Sequence, residues 1–130
     1  MDRSQIRILV VDDVKTMQVQ LKDLLKQAGF AGVQTAGGGE DAKKQLLAAE
    51  FHLVMADWHM IPTDGIALLE YMRSTPGIRE IPFVMVTAED TKENVVKAMV
   101  SGVDEYLLKP VTPVQISTKI EQILKKKGYL

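Results

Sequence analysis

Short apolar runs alternate along the chain with longer stretches in which apolar residues recur every three or four positions. The apolar runs predict five β-strands: 6–11 (IRILVV), 33–36 (VQTA), 52–56 (HLVMA), 81–87 (IPFVMVT) and 105–109 (EYLLK). Four of these runs are apolar at nearly every position, which is typical of strands buried on both faces of a parallel sheet. The pattern therefore predicts a sheet covered by helices on both sides.

The longer periodic stretches predict five helices that separate and follow the strands. Gly29 is expected at the end of the first helix, because glycine readily adopts the backbone conformation that ends a helix. Asp64, Thr91 and Thr112 are expected N-caps, and Pro113 suits a first helical position. The predicted helices cover residues 17–30, 40–50, 64–74, 91–102 and 112–127.

The alternation of strand and helix predicts a doubly wound α/β fold, an open parallel sheet with right-handed crossovers. A chain of 130 residues that is 46% hydrophobic is the size of one ordinary domain. No repeat, linker or low-complexity stretch interrupts the pattern. We therefore expect a single domain over residues 1–130.

The charge balance limits the classes of partner. Sixteen basic and seventeen acidic residues give a formal net charge of -1, so no field-driven affinity for nucleic acid or an anionic membrane is expected. The chain has no cysteine, and its start is too charged for a signal peptide. These features predict a cytoplasmic protein. We also expect it to be a monomer.

Polar residues follow four of the five predicted strands, where open α/β sheets bind their ligands. Asp12 and Asp13 follow the first strand, Asp57 the third, Thr87 ends the fourth, and Lys109 ends the fifth. Because the carboxyl ends of parallel strands share one edge of the sheet, we expect these side chains to converge.

Each of these residues, taken alone, also has a structural interpretation. Asp12 or Asp13 could cap the following helix, Asp57 could be a turn residue, Thr87 a satisfied hydroxyl and Lys109 a solvated cation. Together they indicate a site, because crowded carboxylates repel one another unless a cation neutralises them. Mg²⁺ suits carboxylate ligands and leaves positions for phosphate oxygens.

Beside such a cation, Asp57 has the chemistry of a nucleophile that forms an aspartyl phosphate. Phosphoryl transfer depends mainly on positioning and on neutralising the oxygens of the transferred group. Lys109 and Thr87 are the predicted donors to those oxygens.

Four sequence segments carry a family resemblance: VVDD (10–13), MADWHM…DG (55–65), MVTAE (85–89) and EYLLKP (105–110). Together they resemble the receiver domain of two-component response regulators over essentially the whole chain. The likeness is greatest to the receivers of bacterial chemotaxis. It implies a flavodoxin-like fold with five helices and strand order 2-1-3-4-5.

The resemblance also implies a role for each residue of the site. Asp57 would be the phosphorylated aspartate, Asp13 a direct ligand of Mg²⁺, and Asp12 a ligand acting largely through water. The backbone carbonyl of His59 would complete the metal site.

Four further residues would respond to the phosphoryl group. Lys109 would pair with it, while the Thr87 hydroxyl and the Ala88 backbone N–H would bond its oxygens. Tyr106 would be the switch residue, moving inward as Thr87 is drawn to the phosphate. The implied partner face comprises the helix at 91–100, the strand at 105–109 and the helix at 112–126, with Lys92, Tyr106 and Lys119 available for contact.

The sequence departs from the family pattern at two places after Asp57. His59 replaces the asparagine that chemotaxis receivers typically carry; with Glu89 it would flank the phosphoryl group and so tune the lifetime of the phosphorylated state. A plain surface histidine is the alternative. Met60 is separated from Pro62 by one residue, whereas the family usually runs Met-Pro, but Asp64 keeps its distance from Asp57.

These features favour a stand-alone response regulator that accepts a phosphoryl group from a histidine kinase and then binds the flagellar motor switch. A phosphatase is a further candidate partner. One alternative is a phosphorelay intermediate or a receiver with a non-flagellar partner. A remoter one is a Mg²⁺-dependent phosphohydrolase, although such enzymes typically carry a second aspartate where this chain has His59.

Overall fold

The computed structural model describes all 130 residues, and five strands alternate with five helices along them. The strands are β1 (Arg7–Val11), β2 (Gly32–Ala36), β3 (Leu53–Ala56), β4 (Phe83–Thr87) and β5 (Glu105–Leu108). The helices are α1 (Lys15–Gln27), α2 (Gly39–Ala48), α3 (Gly65–Arg73), α4 (Lys92–Ser101) and α5, whose three consecutive segments are Pro113–Gln115, Ile116–Ile120 and Glu121–Lys126. The predicted elements are confirmed, with shifts of no more than three residues at their ends.

The five strands form one parallel sheet in the order β2-β1-β3-β4-β5. The doubly wound α/β fold and the strand order implied by the resemblance are both confirmed. Strand order reverses at β1, whose neighbours are β2 on one side and β3 on the other. The carboxyl ends of β1 and β3 are in register, since Val11 pairs with Ala56. Residues that follow these two strands therefore emerge side by side.

Each face of the sheet buries its own apolar cluster. One cluster includes Leu9, Val54 and Phe83 and is covered by α2, α3 and α4, while the other includes Ile8 and Leu53 and is covered by α1 and α5. Successive residues of a strand point to opposite faces, which explains why the apolar runs are continuous. None of the helices combines the length and the apolar character that a membrane crossing requires.

The predicted N-caps are confirmed. Asp64 accepts a hydrogen bond from the backbone N–H of Ala67 at the start of α3. Thr91 caps α4 in the same way, and Thr112 begins α5 through a reciprocal bond with Gln115. These caps satisfy N–H groups that have no partner within the helix.

Three local features differ from the expectation. The residue that caps the C-terminus of α1 is Ala28, and Gly29 follows it with φ +97°. A 3₁₀ turn over Arg3–Gln5 precedes β1, and the middle of α5, Ile116–Ile120, is π-helical. None of these features moves a strand end.

Candidate functional site

Three carboxylates meet at the carboxyl edge of the sheet. Asp12 and Asp13 follow β1, Asp57 follows β3, and one oxygen from each lies within 4.8 Å of the others. Asp12 is buried and Asp57 is half-buried, while Asp13 is exposed. The convergence expected from the strand ends follows directly from the register of β1 and β3.

Lys109 joins two of these carboxylates. Its Nζ lies 2.9 Å from Oδ2 of Asp12 and 3.0 Å from Oδ2 of Asp57. Burial by itself lowers the pKa of Lys109, but the bonds to the two carboxylates outweigh it and the pKa is raised above its ordinary value. The lysine is therefore a charged bridge, and the interpretation of Lys109 as a solvated surface residue is wrong.

The other carboxylate oxygen of Asp57 and that of Asp12 each accept a bond from the backbone. Oδ1 of Asp57 accepts from the N–H of Trp58 at 2.7 Å, and Oδ1 of Asp12 accepts from the N–H of Val14 at 2.9 Å. Val14 is itself the N-cap of α1 and makes no side-chain capping bond. Asp12 thus bonds the first amide of this helix start, although neither Asp12 nor Asp13 occupies the N-cap position.

Gln18 is a site neighbour that the sequence analysis did not identify. It lies on α1, is buried, and donates from Nε2 to the backbone carbonyl of Asp12 at 2.7 Å. A signal was present, since Gln18 precedes Leu21 by three positions and Leu25 by seven and so occupies the apolar stripe of the helix.

Thr87 and Ala88 lie at the neighbouring end of β4. The Thr87 side chain is 1% exposed, and its Oγ1 accepts a long bond of 3.3 Å from the N–H of Glu89. The N–H of Ala88 has no acceptor within the protein. Both groups are therefore available to an anion that binds at this edge.

His59 contacts Glu89 across the mouth of the site. Nε2 of His59 lies 3.2 Å from Oε2 of Glu89, and the imidazole stacks on the indole of Trp58 with the ring planes 13° apart. Hydrogen bonds from Asn94, His59 and Thr91 lower the pKa of Glu89 to about 2. His59 is thus exposed yet contacts two neighbours, Glu89 and Trp58.

Tyr106 connects the same segment to β5. Its hydroxyl donates to the backbone carbonyl of Glu89 at 2.6 Å, and its ring packs against the apolar cluster under α3 and α4. Burial, followed by the charges of Glu89, Asp90 and Asp57, raises the pKa of Tyr106. The tyrosine is therefore half-buried in this structure, and its hydroxyl is a neutral donor to Glu89.

The altered loop after Asp57 is held at both ends. Ile61 is 89% exposed at its tip, whereas Thr63 is buried and donates to Oε1 of Glu40 at the start of α2 at 2.6 Å. Gly65 donates its N–H to the carbonyl of Trp58 at 2.8 Å. The contact with Glu40 has no sequence signal, because it joins a loop residue to a helix residue 23 positions away.

The three residues expected on the partner face lie on α4, β5 and α5. Lys92 begins α4 and is exposed, Tyr106 is half-buried on β5, and Lys119 is exposed on α5. Nζ of Lys119 lies 3.9 Å from Oε2 of Glu105. The two lysines are therefore accessible, and the tyrosine is on the strand that connects their helices along the chain.

The donor set at the sheet edge fits Mg²⁺. Asp12, Asp13 and Asp57 supply only carboxylate oxygens, with no cysteine or histidine side chain in the cluster. Hard oxygen ligands in this number are those that Mg²⁺ takes, with water completing the coordination. The backbone carbonyl of His59 accepts no hydrogen bond from the protein and is free to serve as a further ligand.

Comparison with known proteins agrees with this geometry. The model of the response regulator receiver domain matches residues 8–121. Chemotaxis protein CheY-3 of Vibrio cholerae is 35% identical over 93% of this chain and 93% of its own length. Chemotaxis protein CheY of Pseudomonas aeruginosa is also 35% identical, over 93% of this chain and 98% of its own. A solved signal receiver domain of a histidine kinase from Syntrophus aciditrophicus has a TM-score of 0.83 at 27% identity, covering 92% of this chain and 90% of that one.

The chain belongs to the response regulator receiver family, as the sequence resemblance indicated. It is a phosphoryl-accepting signalling protein and not an enzyme that turns over an external substrate, so the phosphohydrolase alternative is wrong. The donor that a receiver implies is a histidine kinase.

Proposed function

We propose that residues 1–130 form a single receiver that accepts a phosphoryl group on Asp57 and then changes its affinity for a partner. The observation that carries this proposal is the position of the Asp57 carboxylate. It lies 3.0 Å from a lysine ammonium and within 4.8 Å of two further carboxylates at the edge of the sheet. Asp12 shares the lysine and the cluster but is buried, whereas Asp57 is half-buried and is therefore the more accessible acceptor.

Asp12, Asp13 and Asp57, with the backbone carbonyl of His59, would hold Mg²⁺. The bound ion supplies positive charge against the oxygens of the incoming phosphoryl group. Since phosphoryl transfer depends on charge neutralisation and alignment, the remaining work falls to residues that position the acceptor. The bond from the Trp58 N–H to Oδ1 fixes the orientation of the Asp57 carboxylate.

In the transfer, an oxygen of Asp57 attacks the phosphorus of the kinase phosphohistidine. The new O–P bond forms as the N–P bond breaks, and the imidazole nitrogen keeps the electron pair and is protonated by solvent. Lys109, Thr87 and the N–H of Ala88 then bond the phosphoryl oxygens. Lys109 is already within 3.0 Å of Asp57, so a short movement of its ammonium serves both states.

Thr87 and Tyr106 would convert this local charge into a change of surface. The Thr87 hydroxyl accepts a hydrogen bond from the N–H of Glu89, and the Tyr106 hydroxyl donates one to the carbonyl of the same residue. Drawing the Thr87 hydroxyl to the phosphoryl group releases one of these two bonds. The segment before α4 and the tyrosine would then shift together, which is the general form of a phosphorylation switch.

We propose the flagellar motor switch as the partner of the phosphorylated protein. Two chemotaxis proteins are 35% identical over 93% of the chain, which supports this choice over other partners. The accessible lysines Lys92 and Lys119, with Tyr106 between them, are the proposed contact residues. His59 and Glu89 are proposed to set the lifetime of the phosphorylated state.

The test is phosphorylation by acetyl phosphate in the presence of Mg²⁺, measured by intact mass. We expect the wild type to gain one phosphoryl group, Asp57→Asn to gain none, and a chelator to abolish the gain. Asp23→Asn is the matched control, because Asp23 is an exposed aspartate on α1. Persistent labelling of Asp57→Asn would refute the assignment of the acceptor.

A further inference from the structure

Gln18 is the polar residue of α1 that faces the core. Its side chain is 6% exposed and lies on the same stripe as Leu21 and Leu25. A buried amide costs stability unless it is hydrogen-bonded, so an apolar residue would be the simpler choice for packing. The hydrogen bonds of Gln18 should therefore explain why an amide lies at this core position.

Those bonds lead to the acidic loop. Nε2 of Gln18 donates to the carbonyl of Asp12 at 2.7 Å and reaches the carbonyl of Ala36, the last residue of β2, at 3.5 Å. The N–H of Asp12 donates to that same Ala36 carbonyl at 3.1 Å. Gln18 thus joins α1 to the ends of both β1 and β2.

Every polar group of Asp12 has a hydrogen-bond partner in the protein. One carboxylate oxygen accepts from the Val14 N–H, the other from Lys109, and the backbone N–H donates to Ala36. The carbonyl accepts from Gln18 and from no other group of the protein. Gln18 alone therefore fixes the carbonyl end of this residue.

The carbonyl of Asp12 and the N–H of Asp13 belong to one planar peptide. Turning that peptide would redirect Asp13, the exposed member of the cluster, away from the other two carboxylates. Mutual repulsion of the three carboxylates favours such a turn. The bond from Gln18 opposes it by holding the carbonyl on the side of α1.

We propose that Gln18 is a positioning residue for the divalent-cation site, an inference that rests on the proposed role of Asp12, Asp13 and Asp57. It contacts neither the cation nor the phosphoryl group. It keeps the Asp12–Asp13 peptide in the orientation that brings the three carboxylates together. Residues behind the ligands of a metal site typically change metal affinity by about 10–100-fold when they are replaced.

The experiment is a calorimetric titration of the unphosphorylated protein with MgCl₂. Gln18→Met keeps the length and shape of the side chain and removes the donor. We expect its dissociation constant for Mg²⁺ to rise by about tenfold or more. We also expect the rate of phosphorylation by acetyl phosphate to return to the wild-type value at saturating Mg²⁺, because Asp57 and Lys109 are unchanged.

Gln27→Met is the matched control, since Gln27 is exposed at the far end of α1 and should leave Mg²⁺ affinity unchanged. Gln18→Asn is the second variant, to be used if Gln18→Met does not fold. It keeps the amide, but its side chain is shorter by one methylene and no longer reaches the Asp12 carbonyl, so it should also weaken Mg²⁺ binding. Wild-type Mg²⁺ affinity in a folded Gln18 variant, even one that unfolds more easily, would overturn the inference.

The same titration separates this inference from the proposed function. A wild-type protein that binds no Mg²⁺, or that is not phosphorylated on Asp57, would contradict the proposed function itself. Normal Mg²⁺ binding and phosphorylation of the wild type, with unchanged affinity in Gln18→Met, would overturn only the role of Gln18.

Discussion

Lys109 supplies the positive charge that lets Asp12 and Asp57 lie beside each other. Both carboxylates are shielded from solvent, and the ammonium lies 2.9 Å from one and 3.0 Å from the other. Water cannot neutralise charges that it does not reach, so this pair depends on a protein cation or a metal ion. Lys109 therefore has a structural role that is separate from its proposed contact with the phosphoryl group.

We expect Lys109→Met to lower the free energy of unfolding by about 3 kcal/mol in the presence of a chelator, because two shielded carboxylates lose their common partner. Saturating Mg²⁺ should restore much of this loss by neutralising the same carboxylates. Urea unfolding with and without Mg²⁺ measures both effects. Lys125→Met, which removes an exposed lysine of α5, is the control; equal losses with and without Mg²⁺ would contradict this account.

Glu89 makes stability depend on pH at the acid end. Its folded-state pKa is about 2, below the ordinary value of 4.5, because Asn94, His59 and Thr91 bond the ionised form. A depressed carboxyl pKa contributes stability that is fully present above pH 4.5 and is lost as the pH falls toward 2. Stability falls with falling pH because the unfolded state binds this proton more readily than the folded state does between pH 4.5 and pH 2.

We therefore expect the urea midpoint of Glu89→Gln to fall less between pH 4.5 and pH 2 than the midpoint of the wild type does. Urea titrations of both proteins across this window provide the measurement. Glu93→Gln is the control, since Glu93 is an exposed glutamate nearby on α4. An acid decrease in Glu89→Gln as large as in the wild type would be evidence against the bonded carboxylate.

The start of α3 is packed against the strand end that carries Asp57. A Cβ on Gly65 would lie 2.5 Å from the Asp57 carbonyl and 3.0 Å from both Trp58 Cα and Met85 Sδ. Two of these three atoms belong to the backbone, so relief requires β3 and α3 to separate. Helix and strand can meet this closely only because the residue between them has no side chain.

We expect Gly65→Ala to lower the free energy of unfolding by about 1–3 kcal/mol, the usual cost of overpacking a close contact. It should also slow phosphorylation by acetyl phosphate, because Asp57 is part of the clash. Gly37→Ala is the matched control, since a Cβ there meets nothing within 4 Å. The account fails if both variants unfold at the same urea concentration.

At the scale of the whole molecule, the acidic cluster and the proposed partner face belong to different elements around one sheet. The sheet is buried on both faces, and β4 and β5 connect the site to α4 and α5. Thr87 at the end of β4 and Tyr106 on β5 both bond Glu89. A change at the acidic cluster can therefore reach the proposed partner face through Glu89, the residue that both side chains bond.

We expect Lys92→Ala combined with Lys119→Ala to weaken binding to a flagellar switch peptide in the phosphorylated state and to leave phosphorylation unchanged. The effect should shrink as salt is added, because exposed charges act mainly through screened electrostatics. Fluorescence anisotropy of a labelled peptide measures the affinity. Lys44→Ala, on α2 near the opposite edge of the sheet, is the control; an equal loss in that variant would count against this face.

Much of the site could be predicted because strand ends are visible in the sequence. The apolar runs end at Val11, Ala56 and Thr87, and the residues that follow must share one edge of a parallel sheet. The bridge from Lys109 to both Asp12 and Asp57 could not be derived in this way. Periodicity reports which strand a residue follows, but not the length of side chain needed to cross from β5 to β1.

The sequence by itself was enough to predict the elements from the alternation of apolar and polar positions, and the caps at Asp64, Thr91 and Thr112 from their residue types. Its motifs at the strand ends indicated the family through resemblance. These are local properties, since a cap or a buried strand is recognised from residues a few positions apart. The tertiary structure alone decided the contacts of Gln18 with Asp12 and of Thr63 with Glu40. Such contacts join segments that the fold brings together, and their formation depends on distances that no local pattern encodes.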